Sequence, residues 1–510
     1  SITEGLAVLM ESTQTSGGRL RASQWNMYMR ADVLEGNIAT LDRFTNTPRR
    51  WPQGNIWYLY GSFLMEYVAE VFGEEVIRRM IRDYGAQIIP WGFNRSLRRV
   101  TGRTFEDIYP GWVRWLKRRY EALARAIRSR GLREGKPITS TGQIAFAPRF
   151  RPGASGGDEL LFFRDDAHTL GGLYRLPLRR DAHGTARAAT PPELFVRTAG
   201  VSTPTFAPDG SLLFNSVDVY NGIYYFTDLF RLPPGSSSTW GLDGRRQRLT
   251  TGYRASQPDV APDGRRVAFV TNPRGTSYLQ LARLDAEGLH DTRALVESQP
   301  FEQAFSPRWS PDNRHLAYSV WQLGGYRDLR VVDTLTGRVE QLTRDRAVDG
   351  GPCFSPDGRW LFFHSDRTGV MNVYAYAMAT GELRQVTNVL TGAYQPQISP
   401  DGRLLVYLGY THRGFDLFAM PLDEERWLEA LPYDDPHPPS PPEPAEVPYR
   451  SVAYNPLHTL RPRAYSLDTF PSNFGQTFRI SVSGADIAGW HGLAASLAVE
   501  TERPDPQVSL

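Results

Sequence analysis

Apolar and polar residues follow different patterns in successive parts of the chain. In residues 1–135 apolar residues recur every three or four positions, as from Ile56 to Val71, which predicts amphipathic helices. From about residue 140 to 430, short runs rich in β-branched and aromatic residues stand between turn-forming residues, which predicts antiparallel strands. The predicted protein is therefore multi-domain, with an all-α N-terminal segment followed by an all-β region.

A short phrase recurs through the β-rich region. It reads Pro, one spacer, an apolar residue, any residue, then Pro-Asp, and it begins at Pro204, Pro258, Pro307, Pro352 and Pro396. A shortened copy, P-R-F-R-P, begins at Pro148. The Asp residues of the five full copies lie 54, 49, 45 and 44 positions apart. A period of about 40–50 residues is typical of a four-stranded propeller blade, so six copies predict six blades.

Each copy predicts an inner strand, a tight turn and a second strand. Asp beside Gly or Asn is typical of tight turns. We therefore interpret these Asp residues as acceptors of hydrogen bonds from nearby backbone N–H groups rather than as a charged array. The phrases resemble the TolB-type propeller repeat, a relative of the WD-repeat blade, over about residues 140–430. The resemblance implies a β-propeller. Similar propellers precede the hydrolase domain of prolyl oligopeptidases, but the chain has no G-x-S-x-G nucleophile elbow.

The composition narrows the function classes. The chain has 510 residues and a net charge of +3, and neither suggests a nucleic-acid partner. The sequence has no run of 18 apolar residues, so it predicts no transmembrane helix. Cys353 is the only cysteine, which excludes an internal disulfide and a cysteine-based zinc site, and its place on an inner strand predicts a buried, unreactive thiol.

The helical segment has identifiable helix boundaries. Gly73 and Gly85 follow apolar stripes and predict helix ends. Thr104 and Asp107 fit a capping box, and a long arginine-rich helix is predicted from about Pro110 to Arg130. Residues 1–135 therefore form an all-α unit without repeats.

The first residues of this segment resemble a metallopeptidase family. The phrase T-E-G-L-A-V-L-M-E at Thr3 resembles the second zinc-site helix of gluzincin metallopeptidases, and the resemblance implies that Glu4 is a zinc ligand. The phrase Y-L-Y-G at Tyr58 resembles the Y-x-x-G phrase of the aminopeptidase branch and implies that Tyr58 is a catalytic residue that stabilises the oxyanion. A dipole-favoured carboxylate at a helix N-terminus and a core aromatic are the alternatives for these two residues.

The sequence departs from this family in one large respect. None of the nine His residues is followed by Glu, so the HExxH helix is absent, and one carboxylate cannot hold catalytic zinc. Two explanations stay open: the sequence starts just after the HExxH helix of a longer protein, or the domain is an inactive relative. We expect zinc in the longer parent and none retained by this chain, which alone should be inactive.

Two further segments follow the predicted propeller. Residues 431–450 are rich in proline and predict an extended linker. In residues 451–510, Phe478, Ile480 and Val482 alternate with polar residues, and a second alternating run follows from Leu493. Strands of this kind are typical of outer-membrane barrels, and the Y-N-P-L-H-T-L-R-P phrase at Tyr454 resembles the segment that leads into a surface-antigen-type barrel. A soluble β-hairpin is the alternative.

Two functional hypotheses result. In the first, the chain is part of a bacterial envelope protein, located in the periplasm and outer membrane of a Gram-negative-type bacterium. Its propeller binds a protein or peptide beside a zinc-peptidase-like domain. In the second, it is a non-catalytic TolB-like periplasmic scaffold, as the propeller resemblance implies. An HExxH motif about twenty residues before Glu4 would distinguish the first hypothesis from the second.

Overall fold

The structure is a computed structural model that describes residues 2–46, 49–87, 92–153, 158–239, 245–435, 437–438, 448–503 and 505–510. It divides into two compact units, Ser1–Pro441 and Pro442–Leu510. Half of the linker predicted at 431–450 lies outside the described residues, since 436 and 439–447 are not among them. Within the described residues, none of the helices combines the length and apolar character that a membrane span requires.

The N-terminal part of the first unit is helical, as predicted. Its α-helices are α1 (Ile2–Gln14), α2 (Ser23–Leu34), α3 (Leu41–Thr45), α4 (Ile56–Phe72), α5 (Glu74–Gly85), α6 (Phe93–Thr101) and α7 (Phe105–Ser129). Short 3-10 turns lie at Arg19–Arg21, Gln53–Asn55, Glu424–Arg426 and Pro456–His458. Apolar faces of α1, α4 and α7 share one core that includes Phe63, Trp112 and Tyr120.

The long helix α7 begins five residues before the predicted start at Pro110. The Thr104 hydroxyl accepts from the backbone N–H of Asp107, and the Asp107 carboxylate accepts from the N–H of Thr104 at 2.8 Å, so the predicted capping box is confirmed and fixes the true start. Pro110 lies inside the helix, where it only removes one donor near the N-terminus. The predicted start at about Pro110 was five residues late, because the capping box at Thr104 sets the boundary.

The rest of the first unit is β-structure. Its strands, in chain order, are β1 (Lys136–Pro137), β2 (Ile144–Phe150), β3 (Glu159–Asp165), β4 (Gly172–Arg180), β5 (Ala186–Ala188), β6 (Glu193–Arg197), β7 (Thr205–Phe206), β8 (Leu212–Tyr220), β9 (Tyr224–Leu232), β10 (Gln247–Arg248), β11 (Ala255–Val260), β12 (Arg266–Thr271), β13 (Tyr278–Leu284), β14 (Leu289–Ala294), β15 (Gln303–Trp309), β16 (His315–Gln322), β17 (Tyr326–Asp333), β18 (Val339–Gln341), β19 (Gly350–Phe354), β20 (Trp360–Ser365), β21 (Asn372–Ala377), β22 (Leu383–Gln385), β23 (Ala393–Ile398), β24 (Leu404–Thr411), β25 (Gly414–Pro421) and β26 (Leu428–Glu429).

In the described residues these strands form six antiparallel sheets, as expected of propeller blades. Sheet 1 contains β2 to β6, sheet 2 β7 to β10, sheet 3 β11 to β14, sheet 4 β15 to β18, sheet 5 β19 to β22 with β26, and sheet 6 β23 to β25 with β1. Each pair of consecutive sheets shares a hydrophobic cluster. A further cluster joins sheet 6 to sheet 1.

The repeated Asp residues act as predicted in the turns between first and second strands. Asp209, Asp263, Asp312, Asp357 and Asp401 each accept a hydrogen bond from the backbone N–H two residues later, at 2.8–3.1 Å. The turn-chemistry interpretation is therefore confirmed.

Helix α2 packs against sheet 6. Met27 and Ala31 form a small apolar cluster with Tyr410, and the buried Arg30 guanidinium donates to the backbone carbonyls of Leu390 and Thr391. The Trp51 indole N–H donates to the Tyr410 hydroxyl at 2.8 Å. These contacts fix the helices on one side of the sheets.

The second unit is a four-stranded antiparallel sheet, built from β27 (Ala464–Ser472), β28 (Gly475–Ala485), β29 (Gly492–Glu500) and β30 (Gln507–Ser509). The strands predicted around Ile480 and from Leu493 are β28 and β29, and β27 and β30 were not predicted. Apolar residues that include Phe478, Ile480 and Leu497 are exposed in this unit. The outer-membrane barrel stays a prediction.

Candidate functional site

The structure brings Glu4 and Tyr58, the two residues singled out by family resemblance, into contact. Helices α1 and α4 cross where Gly5 meets Gly61, and a Cβ added to Gly5 would lie 2.2 Å from the Gly61 carbonyl carbon. This close approach requires glycine and sets Glu4 beside Tyr58. The Glu4 carboxylate raises the pKa of Tyr58, first through its interaction with the hydroxyl proton and then through its negative charge.

Arg19 completes this small polar group. Its guanidinium lies 5.0 Å from the centre of the Tyr58 ring and forms a two-pronged ion pair with Glu11, at 2.9 and 3.0 Å. The Arg19 hydrogen bond lowers the pKa of Glu11. Among the described residues, Glu4 belongs to no group of three His, Cys, Asp or Glu side chains with metal-binding spacing. The residues present therefore do not fit zinc, and both the ligand role of Glu4 and the catalytic role of Tyr58 stay predictions.

A much larger feature lies between the helices and the sheets. This junction cavity, as we name it, has a volume of about 1260 Å³. From the helical side it is lined by residues 17–18, 20–24, Asn26, Trp51 and Arg119. Sheets 4, 5 and 6 contribute Arg327, His364 and Tyr394 among others, and residues 431–434 complete the wall. A volume of this size can enclose several residues of an extended peptide.

His364 shows how the wall of the junction cavity is built. Burial and the charge of Arg327 lower the pKa of His364 to about 3, so the imidazole is neutral at physiological pH. Its Nδ1 accepts from the backbone N–H of Gln395 at 3.3 Å, which ties sheet 5 to sheet 6. Cβ atoms added at Gly350 and Gly351 would lie 2.9 and 2.8 Å from the ring, so both glycines are required by its position.

The inner strands share an irregularity where the junction cavity narrows. Ala147, Gln257, Ser306 and Gln395, each just before the proline that opens the repeated phrase, have left-handed backbone conformations with φ of 48–54°. The strand register shifts at these positions. The Gln395 amide oxygen accepts from the N–H of Ala147 at 2.8 Å, and that of Gln257 accepts from the N–H of Ser306 at 2.7 Å. Side chains of one sheet thus accept hydrogen bonds from backbone N–H groups at the bulge of the neighbouring sheet.

The spacer residues of the repeated phrase lie close to these left-handed positions. We name them the spacer ring, and they are Arg149, Thr205, Asp259, Arg308, Cys353 and Gln397. Arg149, Arg308 and Gln397 line a cavity of about 30 Å³ that also touches the left-handed residues of sheets 1, 3, 4 and 6. The junction cavity and the small cavity share Phe146, Gln257, Ser306 and Gln395 as lining residues, so the two cavities adjoin each other.

Charges in the spacer ring are unevenly paired. Asp259 accepts from Arg308 at 3.1 Å, from the Trp309 backbone N–H at 2.8 Å and from the Thr205 hydroxyl at 3.4 Å. Arg149 donates to the Pro148 carbonyl at 2.9 Å, and its Nε is buried with no hydrogen-bond partner among the described residues. Burial and the charge of Arg308 lower the pKa of Arg149 well below its usual range.

Sequence reasoning missed this ring. The signal was present, because in each inner strand the spacer alternates with an apolar residue of the interior and must therefore face the other side. Cys353, which we predicted to be buried, is half-buried in the ring, and its thiol donates weakly to the Phe354 carbonyl at 3.6 Å. The prediction of full burial was wrong, since the side chain packs only at the margin of the hydrophobic cluster shared by sheets 5 and 6.

Comparison with known proteins identifies the β-rich region. A family model described as the TolB beta propeller domain matches residues 240–450. The chain carries a TolB-like β-propeller. An uncharacterised protein of Agrobacterium fabrum is 28% identical over 252 residues, which is 48% of this chain and 74% of the relative. The Tol-Pal system protein TolB of Francisella tularensis is 32% identical over 87 residues, 16% of this chain and 19% of that protein.

A solved structure is also similar to the chain. TolB from Acinetobacter baumannii is 14% identical, covers 71% of this chain and 80% of its own, and superposes with a TM-score of 0.36.

Proposed function

We propose that the protein is a TolB-like interaction scaffold in the bacterial envelope, facing the periplasm. The proposal includes a closed six-bladed propeller. Pairing of β1 with β25 and the hydrophobic cluster shared by sheets 6 and 1 support closure, because the first strand of the region then completes the last sheet. Relatives that carry the TolB name favour a function in binding proteins.

The junction cavity carries this proposal. It has walls from both the helices and the sheets, and it adjoins the small cavity at the spacer ring. A site formed by two structural parts can enclose an extended segment of a partner on several sides, which gives contact area and specificity. The partner segment therefore lies between the helices and the propeller, and the outer strands stay free of it.

Site-directed photo-crosslinking in the envelope of a Gram-negative bacterium tests this placement. A photoreactive phenylalanine derivative replaces Gln24 or Thr368, which face the junction cavity from opposite walls. The matched control positions are Ala188 and Glu340, which are exposed on the outer strands β5 and β18. We expect the same partner to be captured from both cavity positions and from neither control. Adducts only at the outer strands, or different adducts at the two cavity positions, would contradict the proposal.

The contact between Tyr58 and Glu4 favours a second function for a longer parent protein. We propose that in such a protein, with an HExxH helix before Thr3, the helical segment belongs to a zinc peptidase and Tyr58 supports the oxyanion. The glycine-to-glycine crossing of α1 and α4 supports this, since it holds the two side chains together. Peptidase activity of the longer protein should fall in Y58F, and equal activity would refute the role.

A further inference from the structure

We propose that the spacer ring is a carboxylate-binding site, in which Arg149 receives an acidic group at the end of the partner segment that lies in the junction cavity. This inference rests on the proposed scaffold function and specifies the chemistry of its ligand. The group recognised is a carboxylate, from either a chain terminus or an Asp or Glu side chain.

The charge balance of the ring requires an anion. Its six residues include two arginines and one aspartate, and the aspartate is already engaged by Arg308, Trp309 and Thr205. Arg149 has a carbonyl as its recorded acceptor, and its buried Nε points to no acceptor among the described residues. The Arg149 side chain is half-buried, its buried Nε is unfavourable without an acceptor, and an added carboxylate would satisfy the guanidinium with two parallel hydrogen bonds.

The route to the ring carries the same charge. Arg21, Arg119, Arg327, Arg346 and Arg367 line the junction cavity, against Asp366 and Asp434. Several of these arginines have partners of their own, such as Asp349 for Arg367 at 3.4 Å. Arg21 and Arg327 donate to the uncharged Ser12 carbonyl and Ser319 hydroxyl, so their guanidinium groups are the cations that favour an acidic segment over a basic one.

The size of the ring cavity selects the kind of anion. Its volume of about 30 Å³ accommodates roughly two water molecules, at about 10–15 Å³ each. A flat carboxylate head has two oxygens and fits this space, whereas a tetrahedral phosphate ester has four. The planar guanidinium also matches a planar carboxylate better than it matches other small anions.

Binding of defined peptides to the full chain tests the site. The probes are fluorescein-labelled Gly-Ser peptides in four forms: two terminal Glu residues with a free or amidated C-terminus, and two terminal Gln residues with a free or amidated C-terminus. Fluorescence polarisation should show the acidic peptides binding at least about tenfold more tightly than the amidated Gln peptide. A loss of affinity when the C-terminus is amidated identifies a chain terminus as the ligand. A loss of affinity when Glu is replaced by Gln identifies a side-chain carboxylate. Equal affinity for all four peptides would overturn the proposal.

Variants assign the effect to the ring. R149Q should weaken acidic-peptide binding about tenfold or more, while R187Q, an exposed arginine on the outer strand β5, should leave it unchanged. R149Q should also melt at the same or a higher temperature, because it removes a guanidinium next to Arg308. If Arg149 served only the fold, R149Q would melt earlier and would bind each of the four peptides as tightly as the wild-type chain does.

The photo-crosslinking experiment separates failure of this inference from failure of the proposed function. If the scaffold function holds and the ring binds a carboxylate, the adduct from Gln24 should fall about tenfold in R149Q. An unchanged adduct in R149Q would refute the carboxylate site and leave the scaffold function standing. If the chain that keeps Arg149 gives no adduct from Gln24 or Thr368, the scaffold function itself is refuted.

Discussion

Asp349 gives a prediction whose size can be worked out from its surroundings. Its side chain is completely buried in sheet 5, and burial raises its pKa from 3.8 to about 7 despite the Arg367 guanidinium 3.4 Å away. Asp328 and Asp345 place further carboxylate oxygens within 4.8 Å. The folded state therefore holds a proton at Asp349 that the unfolded chain releases near pH 4.

The sign follows from proton linkage. Between about pH 4 and 7 the folded state binds more protons at Asp349 than the unfolded state does, so this residue lowers the free energy of unfolding as the pH rises. At about 1.4 kcal/mol per pH unit, the raised pKa corresponds to at most about 4 kcal/mol, and we expect about 2–4 kcal/mol. Burial also lowers the pKa of His364 to about 3, so below pH 6.5 this residue makes the free energy of unfolding rise with pH. Because the two effects oppose each other, the contribution of Asp349 is measured by comparing variants.

The assay is urea unfolding of wild type, D349N and D345N from pH 4.5 to 8.5, followed by circular dichroism. As the pH rises from 4.5 to 8.5, the free energy of unfolding of D349N should increase by about 2–4 kcal/mol relative to that of wild type. D345N keeps Asp349 but removes a charge that raises the pKa of Asp349, so its transition should move to lower pH. A constant difference between D349N and wild type at all pH values would refute the argument.

Three further predictions concern single substitutions. G5A should lower the free energy of unfolding by about 1–3 kcal/mol, because its Cβ would overlap the backbone of α4, even though alanine favours helices by about 1 kcal/mol. Thermal melting measures this loss, and G54A, which has open space around it, is the control. Zinc content after dialysis, measured by elemental analysis, should be equally low in the chain and in E4A, and stoichiometric zinc that is lost in E4A would contradict us. Q395A should lose about 1–2 kcal/mol in urea unfolding, because the N–H of Ala147 loses its acceptor; an unchanged midpoint would refute that role.

Local rules predicted much of the fold. The Asp-Gly turns, the capping box at Thr104 and the helical stripes depend on residues close in sequence, and the structure confirms them. The start of α7 was misplaced because two local signals, the Thr104 cap and Pro110, competed and only one could set the boundary. Contact between Glu4 and Tyr58 followed from family resemblance, and the crossing at Gly5 gives its physical reason.

Long-range features were not predictable in the same way. A residue before proline ordinarily avoids the helical regions and extends, yet Gln257 and Gln395 are left-handed, because the neighbouring sheet supplies and receives their hydrogen bonds. The spacer ring could have been found from strand alternation, but the pairing of Arg308 with Asp259 could not. The junction cavity depends on how α2 docks on sheet 6, which no local pattern encodes.

An experimental structure of the complex crosslinked from Gln24 would test the central claim most directly. The account predicts an extended partner segment inside the junction cavity, with a carboxylate within hydrogen-bond distance of the Arg149 guanidinium. A partner bound only along the outer strands, with the space beside Tyr394 and Arg149 free of it, would contradict the account.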